Sequence, residues 1–362
     1  MFLKSISNFR GIAIIAIVAG HINSSGFTSN DLISSTIRNM IIGGSSLFVF
    51  ISGFMFYHVF YKRYNYNKFI TGKIKNLGVP YLILATIAIA HLFVFKLEYY
   101  TPIESMRNAA EAFRHGILFS PDDSHLMTTV KYYLTGRFLT AYWYIPFGLL
   151  LFASAPLHFR FANLSTKIQI AIIVGLSIVA IFVQRPVAGT NALHSLVYYT
   201  PVYLMGIAFS MHREPINRFL NNKLPILFLF IVLISVYQVT YAHEGNYEKP
   251  FFEYGGVDLQ FIKCLFTIWF LYGLFEKYTF DLPMLNVISE TSFAIYFIHP
   301  WVMMIIYRID NKIHHLQPSG AENNIPMYLF TLIAVMAISV AIALTTKYVF
   351  RGSRNTRYLI GY

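Results

Sequence analysis

The segment "RGIAIIAIVAGH", residues 10–21, sets an arginine and a histidine at the two ends of an otherwise apolar run. On an α-helix, eleven positions at about 100° per residue bring Arg10 and His21 back to within roughly 20° of each other. At 1.5 Å of rise they stand about 16 Å apart. A guanidinium holds phosphate through forked, charge-assisted hydrogen bonds. An imidazole is the side chain best suited to take a proton and return it near neutral pH. The pair therefore suits a long, phosphate-bearing donor anchored at Arg10, with its reactive carbon delivered to His21. Two other readings compete. Lys4 and Arg10 ahead of ten apolar and small residues also describe a secretory signal, and an arginine at a helix end can simply snorkel to the membrane surface. His21 fits neither reading well, because an ionisable group inside a span ordinarily faces a cavity.

The helix carrying this pair belongs in a membrane. Of 362 residues, 56% are hydrophobic and only 12% charged, and the mean hydropathy is +0.54. Soluble domains carry about 25% charged residues. The expectation is an all-α, polytopic integral membrane protein with one transmembrane domain over residues 1–362. Stretches long enough to span, about 17 to 25 residues, recur at 9–27, 39–60, 77–95, 141–158, 167–184, 192–210, 224–242, 258–276, 289–307 and 326–349. The turn-forming "QRPVAGTNALHS" separates the fifth and sixth. The longest connection runs from Lys96 to Thr140.

Placing the N-terminus in the cytoplasm puts 17 basic and 4 acidic residues on that side, against 10 basic and 12 acidic opposite, with Lys263 inside a span. This is the positive-inside pattern with both termini cytoplasmic. It needs an even number of spans, which a cleaved first segment would spoil. The net charge of +12 is spread over short loops and leaves no basic domain for nucleic acid. A single cysteine, Cys264 in an apolar stretch, excludes a disulfide framework and reads as a buried space-filler. No His, Asp or Glu cluster has metal-ligand spacing. Neither Gly-x-Ser-x-Gly nor a phosphate-cradling glycine loop is present.

Arg-x10-His on the first helix is similar to the signature of the membrane acyltransferase 3 family, and further landmarks follow in order. "LFVFISGFMFY" (47–57) resembles its aromatic segment with Ser-Gly-Phe, and "KIKNLGVPYL" (73–82) its basic cluster before a Pro-aromatic helix start. "AYWYIPFGLLLF" (141–152) resembles a Trp-aromatic helix opening, and "SFAIYFIHPW" (292–301) its Ser-aromatic-x-x-Tyr-x-x-His stretch. The likeness covers essentially the whole chain. It implies transfer of an acyl group, acetyl or succinyl, from cytoplasmic acyl-CoA to a hydroxyl. The acceptor would be an envelope or secreted polysaccharide or its lipid-linked precursor, reached from the inner membrane, with polysaccharide biosynthesis machinery as a partner and no bound cofactor. It implies His21 as the catalytic residue, with Arg10, Lys73 and Lys75 binding the donor. The cluster is lysine where the family commonly has arginine, so it would meet phosphate as point charges, without a fork.

Other residues carry two readings each. Ser52 is a hydrogen-bond donor for an oxyanion, or a small residue beside Gly53 that lets helices close up. Trp143, Tyr144 and Tyr296 are candidates for lining a sugar or pantetheine pocket, though aromatic residues at a membrane interface need no such role. His299, one turn beyond Tyr296, is a second base or a buried structural histidine, and the second reading is favoured. His58 and His91 read as interface or packing residues, and His314–His315 as a solvated pair in an outer loop. Lys263 is expected to snorkel or to pair with Asp258; a Schiff-base role conflicts with ten spans. The rival to acyl transfer is a transporter, whose paired repeats and broken helices are not evident here.

Reporter fusions test the topology. The 61–76 and 211–223 connections are expected inside, and 96–140 and 243–257 outside. An outside location for residues 61–76 would reverse the orientation.

Overall fold

The protein is described by a computed structural model that covers residues 3–95, 118–120, 122–313, 321–350 and 359–360. His314–His315, Arg351, Arg354, Arg357 and most of the 96–140 connection lie outside the described residues. The helices are α1 Lys4–His21, α2 Leu32–Ile41, α3 Gly44–Met55, α4 Tyr66–Lys73, α5 Val79–Phe95, α6 His125–Thr135, α7 Tyr144–Ala153 and α8 Ala155–Ala162. They continue as α9 Thr166–Val183, α10 Ala192–Met211, α11 Arg213–Leu220, α12 Leu224–Tyr241, α13 Leu259–Lys277, α14 Pro283–Ile313 and α15 Ile325–Val349. Two-residue strands, β1 Arg185–Pro186 and β2 Glu248–Lys249, pair in parallel with Arg185 opposite Glu248.

Among the described residues, eight helical segments are long and apolar enough to cross a membrane, and nine if α7 and α8 form one span bent by 56°. Pro156 in the first turn of α8 marks that bend. It has no N–H to continue the ladder of α7. Helix α1 has a span's length, but Lys4, Asn8, Arg10 and His21 on either side of its apolar centre lower its mean hydropathy. With it, the segments follow the ten apolar stretches of the sequence. Helices α9 and α10 are separate, divided by a turn in which Gln184 has φ of 58°.

Helices α1, α3, α10 and α14 form the centre, with α1 against α14, α3 and α13, and α3 against α10. The outer helices α9, α12 and α15 turn apolar side chains such as Val174, Leu233 and Ile333 outward, as a lipid surround requires. At the centre, helix contact depends on glycine. A Cβ on Gly53 of α3 would lie 2.0 Å from the Tyr203 carbonyl oxygen, and one on Gly206 of α10 would lie 2.2 Å from that of Phe50. The two backbones touch, as small residues allow inside membranes.

The second span is broken between α2 and α3 at Gly43, whose φ of 113° suits glycine. The break leaves the last carbonyls of α2 without helical partners. The ammonium of Lys263, fully buried on α13, donates to the carbonyls of Asn39 and Ile42, and the Gln260 side chain donates to Ile42 at 2.9 Å. This corrects the expectation that Lys263 snorkels or pairs with Asp258: its charge caps a buried helix end. Asp258 instead caps α13 by accepting from the Phe261 N–H at 2.7 Å and takes a hydrogen bond from Tyr198 at 3.0 Å. Cys264 is buried with a free thiol.

Replacing Gly206 with Ala should lower the melting midpoint of the detergent-extracted protein, by an overpacking cost of about 1–3 kcal/mol. An unchanged midpoint would mean that α3 and α10 are not in backbone contact.

Candidate active site

Helices α1 and α14 lie side by side and run in the same direction, as first and ninth spans must. Their contacts keep one register. Ser7 and Arg10 meet Ser289 at 2.8 and 3.3 Å, His21 meets His299 at 3.2 Å, and Ser24 and Ser25 meet Tyr307 at 3.0 and 3.1 Å. Gly11 permits the approach, because a Cβ there would lie 2.6 Å from Leu285. This register stacks the rings of His21 and His299, with centroids 5.4 Å apart and planes 9° from parallel.

The hydrogen bonds fix which nitrogens carry protons. Nδ1 of His299 lies 2.8 Å from the Ile295 carbonyl oxygen, which can only accept, so Nδ1 is protonated and donates. In the neutral ring Nε2 is then an acceptor. Its partner is Nδ1 of His21, which must donate. Nε2 of His21 is therefore left with a free lone pair. His299 is fully buried, whereas His21 is half-buried. A histidine oriented by a hydrogen bond at one nitrogen, with the other nitrogen basic, is the arrangement of a general base. His299 accordingly combines a structural bond to its own helix with contact to His21.

The structure draws most of the remaining candidates to the same end. Tyr296 lies against His299, with ring centroids 6.2 Å apart, and against Tyr144 at 5.8 Å. Its hydroxyl donates to the Ala141 carbonyl. Ser52 lies beside the Tyr144 hydroxyl, while Gly53 makes the close helix contact. Trp143, next to Tyr144, stacks near Tyr199 at 5.9 Å. Tyr142, which the sequence did not single out, donates to the Phe297 carbonyl at 2.8 Å and accepts from the Trp301 indole at 3.0 Å. The 141–144 loop is thereby fastened to α14 on both sides of His299.

Arg10 sits at the opposite end of α1. It is half-buried, its Nε donates to Ser289, and Glu290 is within electrostatic reach. Nearby, Lys4 pairs with Asp281 and Arg213 with Glu276, but Arg10 makes no ion pair among the described residues. Its terminal nitrogens remain available to a ligand. Lys73 is set apart, with its ammonium among the rings of Phe60, Phe69 and Phe152 at 5.3, 5.3 and 4.2 Å. Lys75 is exposed. No described contact joins either lysine to Arg10.

Two neighbouring arginines, one of them within reach of His21, also went unremarked in the sequence. Arg185 on β1 holds its guanidinium 5.1 Å from the Trp143 ring centre and within electrostatic reach of His21, and Arg137 is within reach of Arg185. The available signal was an arginine directly before a proline in the 184–195 turn, and another six residues before Trp143. Among the described residues, no group of three His, Cys, Asp or Glu side chains is placed to hold a metal ion.

The tautomers are testable. Nitrogen-15 spectra of histidine-labelled protein should show both rings, when neutral, protonated at Nδ1. His299→Leu should release His21 from that form. An Nε2-protonated His21 in the unaltered protein would contradict the arrangement.

No curated protein and no solved structure matches the chain. Residues 3–344 match the family model described as an acyltransferase domain. With a multi-pass helical bundle and a paired histidine on its first helix, the chain belongs to the acyltransferase 3 family and is a membrane acyltransferase.

Proposed function

We propose that the protein transfers an acyl group from cytoplasmic acyl-CoA to a hydroxyl of an envelope or secreted polysaccharide, or of its lipid-linked precursor, in the inner membrane. The observation that carries this reading is the His21–His299 pair, with a basic nitrogen at one end of α1 and, toward the other, a guanidinium that makes no ion pair among the described residues. A rise of about 16 Å separates them, which suits an extended donor with phosphates at Arg10 and a thioester near His21.

The step balances with these groups alone. Nε2 of His21 accepts the proton of the acceptor hydroxyl as its oxygen attacks the thioester carbonyl carbon. The tetrahedral oxyanion then collapses, the C–S bond breaks, and the CoA thiolate takes back the proton from the imidazolium. While His21 is charged, its Nδ1–H stays directed at the lone pair of His299. The orientation thus persists through the step, the role a buried acceptor plays behind a catalytic histidine. Ser52 and Tyr144 supply hydroxyls on one side of this site for the oxyanion or the pantetheine arm, and Tyr296, whose own proton goes to the Ala141 carbonyl, lines the same side. Lys73 and Lys75 belong to donor binding in this reading, with Lys75 the more accessible charge.

Mass spectrometry of the host's extracellular polysaccharide tests the assignment. General-base catalysis contributes about 10²–10⁴-fold, so His21→Gln should cut acylation to near background in a protein that still inserts. Arg10→Ala should lose most transfer at limiting acyl-CoA, and Arg10→Lys should retain part, keeping charge but not the fork. Full acylation by a well-expressed His21→Gln protein would sink the proposal.

A further inference from the structure

We propose that Arg137 and Arg185 form a carboxylate-binding subsite beside His21, which receives an acidic group carried by one of the two substrates. This inference rests on the acyl-transfer reading only in calling the ligand a substrate.

Both side chains are built into place. Arg185 follows α9 on β1, where its N–H donates to the Tyr247 carbonyl at 3.0 Å. The preceding Gln184 side chain donates to the carbonyls of Gly255 and Gly256 at 2.8 and 3.1 Å. Its guanidinium lies over Trp143, which is backed by Gly189, where a Cβ would come within 3.2 Å of the indole. Arg137 follows the glycine that ends α6, and its N–H donates to Thr135 at 3.2 Å. Both residues are half-buried, with Nε of each shut off from solvent.

Neither guanidinium is satisfied. Nε of each is buried with no hydrogen-bond partner, and neither makes an ion pair or a side-chain hydrogen bond among the described residues. Unmade bonds to buried charged donors are costly, and two like charges within electrostatic reach add to that cost. Glu248 is within reach of both but outside ion-pair contact, and one of its oxygens accepts from the Ala188 N–H at 2.8 Å. Asp258, also within reach of Arg185, is held by Tyr198 and the start of α13. With these two carboxylates held by other donors, the hydrogen-bonding faces of both guanidinium groups are left for a ligand. Paired planar forks suit a carboxylate.

Such a group has two sources beside His21: the far end of a dicarboxylic acyl chain such as succinyl, or an acidic sugar of the acceptor. The test measures melting of the full-length, detergent-extracted protein with sodium succinate, sodium glucuronate, glucose, or sodium chloride at matched ionic strength, because a ligand that binds the folded state raises its stability. At least one carboxylate should stabilise the protein beyond chloride, and glucose should not. Arg185→Gln and Arg137→Gln should each raise the half-saturating concentration about tenfold to a hundredfold. A response to succinate alone assigns the subsite to the donor, and to glucuronate alone, to the acceptor. Should Arg185→Gln fail to fold without its contact on Trp143, Arg137→Gln decides. The proposal is overturned if neither carboxylate exceeds chloride, or if the folded variants bind as tightly as the unaltered protein. His21→Gln should still bind the carboxylate, so loss of catalysis and loss of this subsite are read separately.

Discussion

The parallel register of α1 and α14 is the constraint on which the site depends. Helices distant in sequence and running in one direction meet at Ser289 and His299, and the turn that follows α1 adds a contact at Tyr307. With a fixed rise per residue, setting either helix contact sets the other. Gly11 lets the two helices approach, and the stacked imidazoles follow. A shift of one residue along either helix would turn a histidine by about 100° and break the proton order that leaves Nε2 of His21 basic. The glycine contact between α3 and α10 supports the same core from the other side, and carries Ser52 on α3 toward Tyr144.

Polar groups inside this bundle fall into two sorts. Lys263 caps the broken end of α2, Asp258 caps α13, and Tyr142 and Tyr296 fasten the 141–144 loop to α14. Each of these satisfies a backbone group that lipid cannot. The other sort is incompletely satisfied: Nε2 of His21, the terminal nitrogens of Arg10, and the guanidinium groups of Arg137 and Arg185. These basic groups lie toward the two ends of α1, whereas the buried atoms without partners on α12 and α15, such as the Ser235 and Ser339 hydroxyls, are neutral. In a medium that penalises every unmade polar bond, a charged or basic group left open costs more than a neutral hydroxyl, and the proposed substrates would complete it.

The fold class and the approximate spans were legible in the sequence, because about 20 consecutive apolar residues leave the backbone one solution in lipid, a helix. The fifth and sixth spans fell where their Pro and Gly turn put them. Arg10 and His21 were legible as a pair because both lie on one helix, where spacing alone fixes relative direction and distance. The motifs that resembled the acyltransferase 3 family carried the activity class as well.

What lies between helices was not legible. His299 and His21 are separated by 278 positions, and nothing in either segment states that one ring stacks on the other. His299 therefore read as a buried structural residue, and Lys263 as one that should seek an acid or the surface. Only packing shows that the carbonyls left open at Gly43 are the partners of Lys263. Arg137 and Arg185 likewise counted as ordinary loop charges, because their lack of partners becomes visible only when every neighbouring carboxylate has a place. Along the chain, local geometry determines which residues share a helix face. Across it, tertiary structure decides which buried groups are satisfied and which are left for a ligand, since hydrogen bonding acts only over the few ångströms that packing sets.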